Sequence, residues 1–255
     1  MSKPQPDFRE LGCSECLHGQ ALGFDFSMAF QPIVNIRSRS VFAYEALARG
    51  LNGEGAGEVF KHVNRQNQYR FDQTCRTKAI ALGAKLNIPC FLSINFMPNA
   101  VYRPELCIRT TLNAAATYGF PIERINFEFT ESEQVTDTDH LKSIVDDYSE
   151  RGFKTAIDDF GAGFAGLNLL CEIQTDMLKL DMQMIRGIDK DPVRQAVVRG
   201  VVQMCRDLRI EVIAEGVETR VELKALQGMG IELFQGYLFA RPEFETLPEP
   251  DFSAV

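Results

Sequence analysis

The chain has 255 residues, of which 45% are hydrophobic, and its formal net charge is −8 at pH 7. This length suits a single α/β barrel, and the negative charge argues against non-specific binding to DNA, RNA or anionic lipid. No run approaches the roughly 20 apolar residues of a membrane span, and the polar start lacks a secretory-signal pattern. We therefore expect a cytoplasmic protein, which can act on a phosphate substrate if bound divalent cations neutralise the repulsion.

The seven cysteines are odd in number, and most stand singly in apolar segments. This pattern favours reduced thiols over a disulfide framework. Cys13 and Cys16, with His18 nearby, form the one local cluster, but the sequence has no second pair to complete four zinc ligands. We expect a reduced, solvated tail there, with a redox or metal role as the alternative.

Residues 1–22 show no clear periodicity and are expected to form an N-terminal extension, which leaves residues 23–250 as the folded domain. Strand-like runs at 26–36 and 41–47 flank a turn at 37–40 and predict a hairpin. The glycine-rich stretch 52–57 predicts a flexible loop.

Helical and strand patterns alternate from there to the end of the domain. Predicted helices cover 71–86, 104–118, 138–150, 164–171, 192–208 and 219–228. Predicted strands cover 90–95, 125–130, 153–158, 177–180, 210–215 and 231–235. Such alternation gives parallel strands joined by crossover helices. The number of units favours a closed (β/α) barrel, with a doubly wound open sheet as the alternative.

Polar side chains recur at or near the C-terminal ends of these predicted strands. They are Asn95, Glu128, Asp158, Asp159, Lys179, Glu215 and Gln235. In a barrel all these ends open onto one face, where active sites are found. Taken singly, Asn95 or Asp159 has an ordinary interpretation as a helix cap. Taken together, the recurrence indicates one converging site.

The residue types at these positions indicate the chemistry. Carboxylates and an amide oxygen are hard ligands, suited to Mg²⁺ or Mn²⁺ rather than Zn²⁺. Adjacent Asp158 and Asp159 can serve two cations, one bridging and one terminal, an arrangement that supports in-line attack on a phosphodiester. Lys179 adds a positive charge for the attacking water or the phosphate. With three histidines and no phosphate-binding P-loop, a histidine-rich metal hydrolase and a nucleoside triphosphatase are both disfavoured.

With these residues in place, the chain resembles the EAL family of cyclic di-GMP phosphodiesterases over about residues 24–245. The motif that names the family stands here as Glu45-Ala46-Leu47, with Arg49 two residues on. Further family blocks match in order along the chain, at 30–34, 93–95, 127–131, 157–161, 179–181, 214–219 and 235–242. A lone EAL tripeptide is a weak signal, whereas this ordered set is highly specific.

The resemblance implies an α/β fold, a TIM-like (β/α)8 barrel with an antiparallel first strand, which fits the predicted hairpin. It implies hydrolysis of one phosphodiester bond of cyclic di-GMP to give linear 5'-pGpG, with two ions of Mg²⁺ or Mn²⁺. The first ion is assigned to Glu45, Asn95, Glu128 and Asp158, and the second to Asp158 and Asp159 with Glu215 beside them. Catalytic roles fall to Glu45, Lys179 and Glu215. Glu215 is the candidate general base, although two ions that generate hydroxide make that role dispensable.

By the same resemblance, the substrate-contacting positions are Gln31, Leu47, Arg49, Asp181, Glu218, Gln235 and Pro242. Arg49 suits the non-scissile phosphate, and Glu218, Gln235 and Pro242 suit the guanine side. Glu131 corresponds to the glutamate that anchors the loop after Asp159. A homodimer is also implied, and a regulatory partner protein is a further expectation.

One departure from the family lies in that loop, whose commonest form is DDFGTGYSSL. Here the loop lacks three hydroxyl groups, at Ala162, Phe164 and Ala165, and Gly166 replaces a serine. Because the metal-binding acids remain, we expect metal affinity to persist, while the coupling between metal site and dimer contact is in question. The alternatives are a receptor or regulator that binds the nucleotide without cleaving it, and an unrelated metal-assisted barrel isomerase or lyase.

Overall fold

A sheet of nine strands forms the centre of the computed structural model, which describes residues 22–101, 103–130, 138–163, 166–253 and 255. The strands are β1 Ser27–Asn35, β2 Ser40–Arg49, β3 Phe91–Asn95, β4 Ile125–Thr130, β5 Lys154–Phe160, β6 Met177–Leu180, β7 Glu211–Ala214, β8 Leu233–Phe234 and β9 Glu243–Phe244. Neighbouring strands from β2 to β8 are parallel. β1 pairs antiparallel with both β2 and β8 and so closes an eight-stranded barrel, and β9 adds to β1. The predicted barrel with an antiparallel first strand is confirmed, and closure excludes the open sheet.

Eight α-helices are described around this sheet. They are α1 Ala56–Phe60, α2 Gln68–Lys85, α3 Pro104–Tyr118, α4 Thr138–Glu150, α5 Gly166–Glu172, α6 Met182–Ile185, α7 Pro192–Leu208 and α8 Arg220–Gly228. Local sequence signals set several of their ends. Pro104 and Pro192 lie in the first turns of α3 and α7. An N–H at this position has no acceptor within the helix, so proline loses no helical hydrogen bond there. Gly119 ends α3 in the left-handed conformation, at φ +67°.

Some predicted boundaries were wrong. Helix α1 begins inside the stretch 52–57 that was predicted as a loop, because Val59 provides a buried anchor for a short helical turn. The last two predicted strands are shorter than expected, so Glu215 and Gln235 lie just past the ends of β7 and β8. Their backbone N–H groups still donate to the neighbouring strand, to the carbonyls of Leu180 and Ala214. Helix α6 and strand β9 were not predicted.

The apolar core has two parts. The larger part fills the space between the barrel and the surrounding helices. The smaller part lies inside the barrel and consists of Ile33, Ala43, Ala156, Met177, Ile213 and Leu233. Phe42 and Phe91 pack against this inner layer, with ring centroids 5.2 Å apart. Burial of each large apolar side chain contributes roughly 1.5–3 kcal/mol.

The cysteines of the described ranges, at 75, 90, 107, 171 and 205, are free, as the sequence predicted. The Cys13–Cys16 cluster and His18 lie outside the described residues. Across the part of the chain that the structure describes, none of the helices combines the length and the apolar character needed to cross a membrane.

Candidate active site

The candidate site is a polar layer that lies next to the apolar filling of the barrel. Residues two apart on a strand face the same side of a sheet. Each apolar side chain of the inner layer has a polar neighbour two positions away in the chain, toward the mouth of the barrel. The pairs are Ala43 and Glu45, Ala156 and Asp158, Met177 and Lys179, Ile213 and Glu215, and Leu233 and Gln235. β1 runs in the opposite direction, and there Gln31 precedes Ile33.

Lys179 on β6 lies at the centre of this layer and is almost fully buried. Its Nζ lies 2.7 Å from carboxylate oxygens of both Glu128 and Glu215, 3.2 Å from Asp158 and 3.4 Å from Glu45. Burial alone would lower the pKa of Lys179, but the surrounding carboxylates prevail and raise it well above its usual value. The structure thus places one permanent cation among four acids.

The carboxylate of Glu45 is held on both oxygens. Asn95 Nδ2 donates to Oε1 and Gln235 Nε2 donates to Oε2, each over 2.7 Å. Burial acts to raise the pKa of Glu45, but the charge of Lys179 and these two hydrogen bonds outweigh it and lower that pKa. Gln235 Nε2 also lies 3.3 Å from Oε1 of Gln31, which links β8 to β1 across the seam of the barrel.

Glu128 on β4 is fully buried and has a partner that the sequence analysis missed. Asn126 Nδ2 donates to Glu128 Oε1 over 2.9 Å and to Ser93 Oγ over 3.0 Å. The signal available in the sequence is the spacing, since Asn126 precedes Glu128 by two residues on the same face of a strand. Burial is the main cause that raises the pKa of Glu128 to about 7, with the charges of Glu45 and Asp158 adding to it against Lys179.

The carboxylates form two groups in which the oxygens lie within 4.8 Å of one another. The first carboxylate group is Glu45, Glu128 and Asp158, and the second is Asp158, Asp159 and Glu215. Asp158 belongs to both. All donors are hard oxygens, and Asn95 adds an amide at the first group, so the residues present fit two Mg²⁺ or Mn²⁺ ions. Because these acids share one ammonium group, much negative charge remains for cations to neutralise.

Asp159 owes its position to an uncommon backbone conformation. Its φ is +53°, in the left-handed region, and its N–H donates to Asp158 Oδ1 over 2.8 Å. A turn closed by the N–H of Ala162 and the carbonyl of Asp159 follows at 3.0 Å. Burial first, and the charge of Asp158 second, raise the pKa of Asp159 to about 6. Burial and the charge of Asp158 also raise the pKa of Glu215 well above its usual value.

Several residues that the sequence analysis assigned to substrate have other contacts. Asp181 caps α6 by accepting from Gln183 N over 2.7 Å. Glu218 forms an ion pair with Arg186 over 2.9 Å. Arg49 donates to the carbonyl of its neighbour Ala48. Leu47 and Pro242 are half-buried, and the proposed loop anchor Glu131 lies outside the described residues.

A family model described as the EAL domain matches residues 19–242. Among curated relatives, the blue light- and temperature-regulated antirepressor BluF of Escherichia coli is 33% identical over 228 residues, which are 86% of this chain and 55% of that protein. The probable cyclic di-GMP phosphodiesterase PdeD of the same organism is 29% identical over 238 residues, which are 89% of this chain and 43% of that protein. The chain thus spans about half the length of these curated relatives.

The chain is also similar to solved structures of proteins that contain an EAL domain. The c-di-GMP-bound form of a standalone versatile EAL protein from Vibrio cholerae O395 is 56% identical, with a TM-score of 0.89 over 92% of this chain and 99% of that one. The manganese/cy-diGMP complex of Klebsiella pneumoniae BlrP1 is 36% identical, with a TM-score of 0.84 over 88% of this chain and 58% of that one. The match of the EAL domain model over most of the chain, together with the barrel fold shared with these structures, shows that the chain belongs to the EAL domain family.

Proposed function

We propose that this chain is a divalent-metal-dependent phosphodiesterase that hydrolyses cyclic di-GMP to linear 5'-pGpG. The observation that carries the proposal is the pair of carboxylate groups that share Asp158 beside the buried ammonium of Lys179. The cyclic di-GMP phosphodiesterases and nucleotide-bound structures among its relatives support it. Two Mg²⁺ or Mn²⁺ ions at these groups would bind the scissile phosphate and lower the pKa of an attacking water.

The residues of the site divide into two sets under this proposal. Glu45, Asn95, Glu128 and Asp158 would hold the first ion, and Asp158, Asp159 and Glu215 would hold the second. In the reaction, the water oxygen bonds to phosphorus and the P–O3′ bond breaks, which leaves a 3′-hydroxyl and a 5′-phosphate. Lys179 would stabilise the charge that develops on the phosphate. Glu215, whose pKa is raised, is the candidate acceptor of the water proton.

The nucleotide would lie over the mouth of the barrel. Gln235, whose Oε1 has no hydrogen-bond partner among the described residues, is assigned to the guanine side. Arg49 would contact the phosphate that is not cleaved. The remaining proposed contacts are Gln31, Leu47, Asp181, Glu218 and Pro242, with Glu131 as the proposed loop anchor.

Turnover by the purified chain tests this function. Cyclic di-GMP is incubated with the protein and Mg²⁺ or Mn²⁺, and the products are separated by chromatography. We expect pGpG with either metal, none in EDTA, and a loss of at least about 100-fold in Glu45→Ala. Glu58→Gln is the matched control, because it removes an exposed acid that forms an ion pair with Lys61 away from the site. A folded wild-type protein that releases no pGpG at high concentration with either metal contradicts the proposal.

A second candidate function is nucleotide-dependent regulation without cleavage. The relative BluF is named as an antirepressor, and the loop after Asp159 departs from the commonest family sequence at Ala162 and Gly166. Calorimetric binding of cyclic di-GMP with no product formed in the turnover assay would favour this function.

A homodimer belongs to the same proposal, together with a regulatory partner protein. Leu167, at the start of α5 just after this loop, exposes 62% of its surface, so this apolar side chain is accessible to a second copy of the chain. Light scattering of the purified chain, with and without cyclic di-GMP and Mn²⁺, measures the oligomeric state.

A further inference from the structure

A buried ion pair lies outside the barrel, behind the ends of β3 and β4. Arg76 of α2 is 0% exposed, and its Nε lies 2.8 Å from Oδ2 of Asp72, one turn earlier in the same helix. Its Nη1 donates to Oη of Tyr148 on α4 over 2.7 Å. The guanidinium also lies 5.0 Å from the ring centroid of Phe127 and 5.3 Å from that of Phe96.

A buried ion pair by itself contributes little net free energy to the stability of a fold. Removing two charges from water is costly, and well-packed apolar residues of similar volume often stabilise a protein as well or better. The described contacts point to a positional role, because both charged groups are bonded to elements outside α2.

These contacts lead directly to the candidate site. Asp72 Oδ1 accepts from the backbone N–H of Met97 over 2.9 Å, two residues after Asn95. Phe96 N donates to the carbonyl of Glu128 over 2.8 Å, which keeps the ends of β3 and β4 together.

The rings against Arg76 belong to the direct neighbours of site residues. Phe96 follows Asn95 and Phe127 precedes Glu128, and successive side chains on a strand face opposite sides. The guanidinium therefore packs on the outer side of β3 and β4. On the inner side, these strand ends carry Asn95 and Glu128, which belong to the candidate site.

We infer that Asp72, Arg76 and Tyr148 are positioning residues that hold the ends of β3 and β4 in the geometry a cation at the first carboxylate group requires. The inference rests on the proposed function, since it assumes that a cation binds there. It assigns these three residues no contact with substrate or metal. Substituting these residues should weaken cation binding at the first carboxylate group. The loss of affinity should be larger than in a variant that is destabilised without touching these contacts.

The test compares Asp72→Asn and Tyr148→Phe with Ile144→Val. Ile144 is fully buried on α4, one turn before Tyr148, so the control removes a methyl group from the same helix without touching a polar contact. Each variant is made in the wild-type chain and in an Asp159→Asn background, which removes a carboxylate of the second group alone. Mn²⁺ affinity is measured by calorimetry, and thermal unfolding is followed by circular dichroism without metal.

In the Asp159→Asn background we expect Asp72→Asn to weaken Mn²⁺ binding by about tenfold or more and Tyr148→Phe to weaken it less. Ile144→Val should lower the melting temperature and leave Mn²⁺ affinity unchanged. Unchanged Mn²⁺ affinity in both Asp72→Asn and Tyr148→Phe overturns the inference. If Asp72→Asn does not fold, unchanged affinity in Tyr148→Phe alone overturns it. An equal loss of affinity in Ile144→Val also overturns it. Each of these outcomes concerns only the variants and is compatible with turnover by the wild-type chain. A wild-type chain that neither binds Mn²⁺ nor cleaves cyclic di-GMP refutes the proposed function itself.

Discussion

Asn126 donates a hydrogen bond from Nδ2 to Oε1 of Glu128 over 2.9 Å, inside the barrel and out of contact with solvent. The bond fixes one oxygen of the carboxylate and leaves Oε2 to face Lys179 at 2.7 Å. Carboxylates that bind metals are commonly oriented in this way by an outer hydrogen bond.

Asn126→Leu, which keeps much of the volume and removes the donor, should therefore weaken Mn²⁺ binding by about tenfold. Ser93→Ala is the matched control, because it removes the other partner of Asn126 and leaves the bond to Glu128 in place. Calorimetric titration with Mn²⁺ measures both variants. Equal affinities for Asn126→Leu and Ser93→Ala would show that the amide does not orient Glu128.

Lys179→Met should destabilise the metal-free protein strongly. Without the ammonium, four carboxylates, three of them buried, lose their shared partner. Breaking a buried pair costs about 3–5 kcal/mol. In a chain of this size that corresponds to a fall in Tm of roughly 10 °C. Thermal unfolding in EDTA measures the fall. Mn²⁺ should restore part of the stability, because it returns positive charge to the acids, while turnover stays lost.

The control for that experiment is Lys154→Met, which removes an ammonium paired with Asp176 near the surface at 2.6 Å. Exposed pairs contribute about 0–1 kcal/mol, so its Tm in EDTA should stay close to the wild-type value. A Lys179→Met protein that melts together with the wild type would contradict the central role of this cation.

Metal affinity should rise with pH over the neutral range. In the metal-free protein the pKa of Glu128 is raised to about 7 and that of Asp159 to about 6. Below these values the carboxyl groups hold protons that a cation must displace, so lowering the pH should weaken Mn²⁺ binding by about tenfold per unit for each proton released. Titrations between about pH 6 and pH 8 in buffers of different ionisation enthalpy count those protons. Affinity independent of pH in this range would mean that both acids are already ionised.

Two glycines at the helices should respond to alanine in opposite directions. Gly119 has φ +67°, and an added Cβ there meets no atom within 4 Å, so Gly119→Ala should cost about 1–2 kcal/mol through backbone conformation alone. Gly200 lies within α7, where a Cβ also meets open space, and Gly200→Ala should stabilise the protein by about 0.5–1 kcal/mol. Urea unfolding measures both changes. The same sign in both variants would refute this explanation.

The order of elements could be predicted because it depends on local signals. Pro104 and Gly119 mark the two ends of α3 in the sequence, and the structure places the helix between them. The alternation of strands and helices likewise predicted that Glu128 and Asp158, near the C-terminal ends of their strands, would lie at one rim of a barrel. The end of a strand can be predicted from the residues that adjoin it in the sequence.

Other relationships depend on which distant residues the closed barrel brings together. Gln235 and Glu45 are 190 residues apart in the chain, yet they share a hydrogen bond of 2.7 Å. The i,i+4 spacing of Asp72 and Arg76 does not distinguish an exposed ion pair from a buried one. Only the packing of α2 and α4 against β3 and β4 buries that pair.

The sequence by itself determined the strand and helix pattern, the family motifs and the oxygen donors of the candidate site, because periodicity and residue chemistry are local properties. The tertiary structure decided that Asp158 is shared between two carboxylate groups, that Lys179 lies among four acids, and that Asn126 supports Glu128. The first two arrangements join residues from different strands, which the closed barrel brings together. The third joins two residues of β4 that the fold buries.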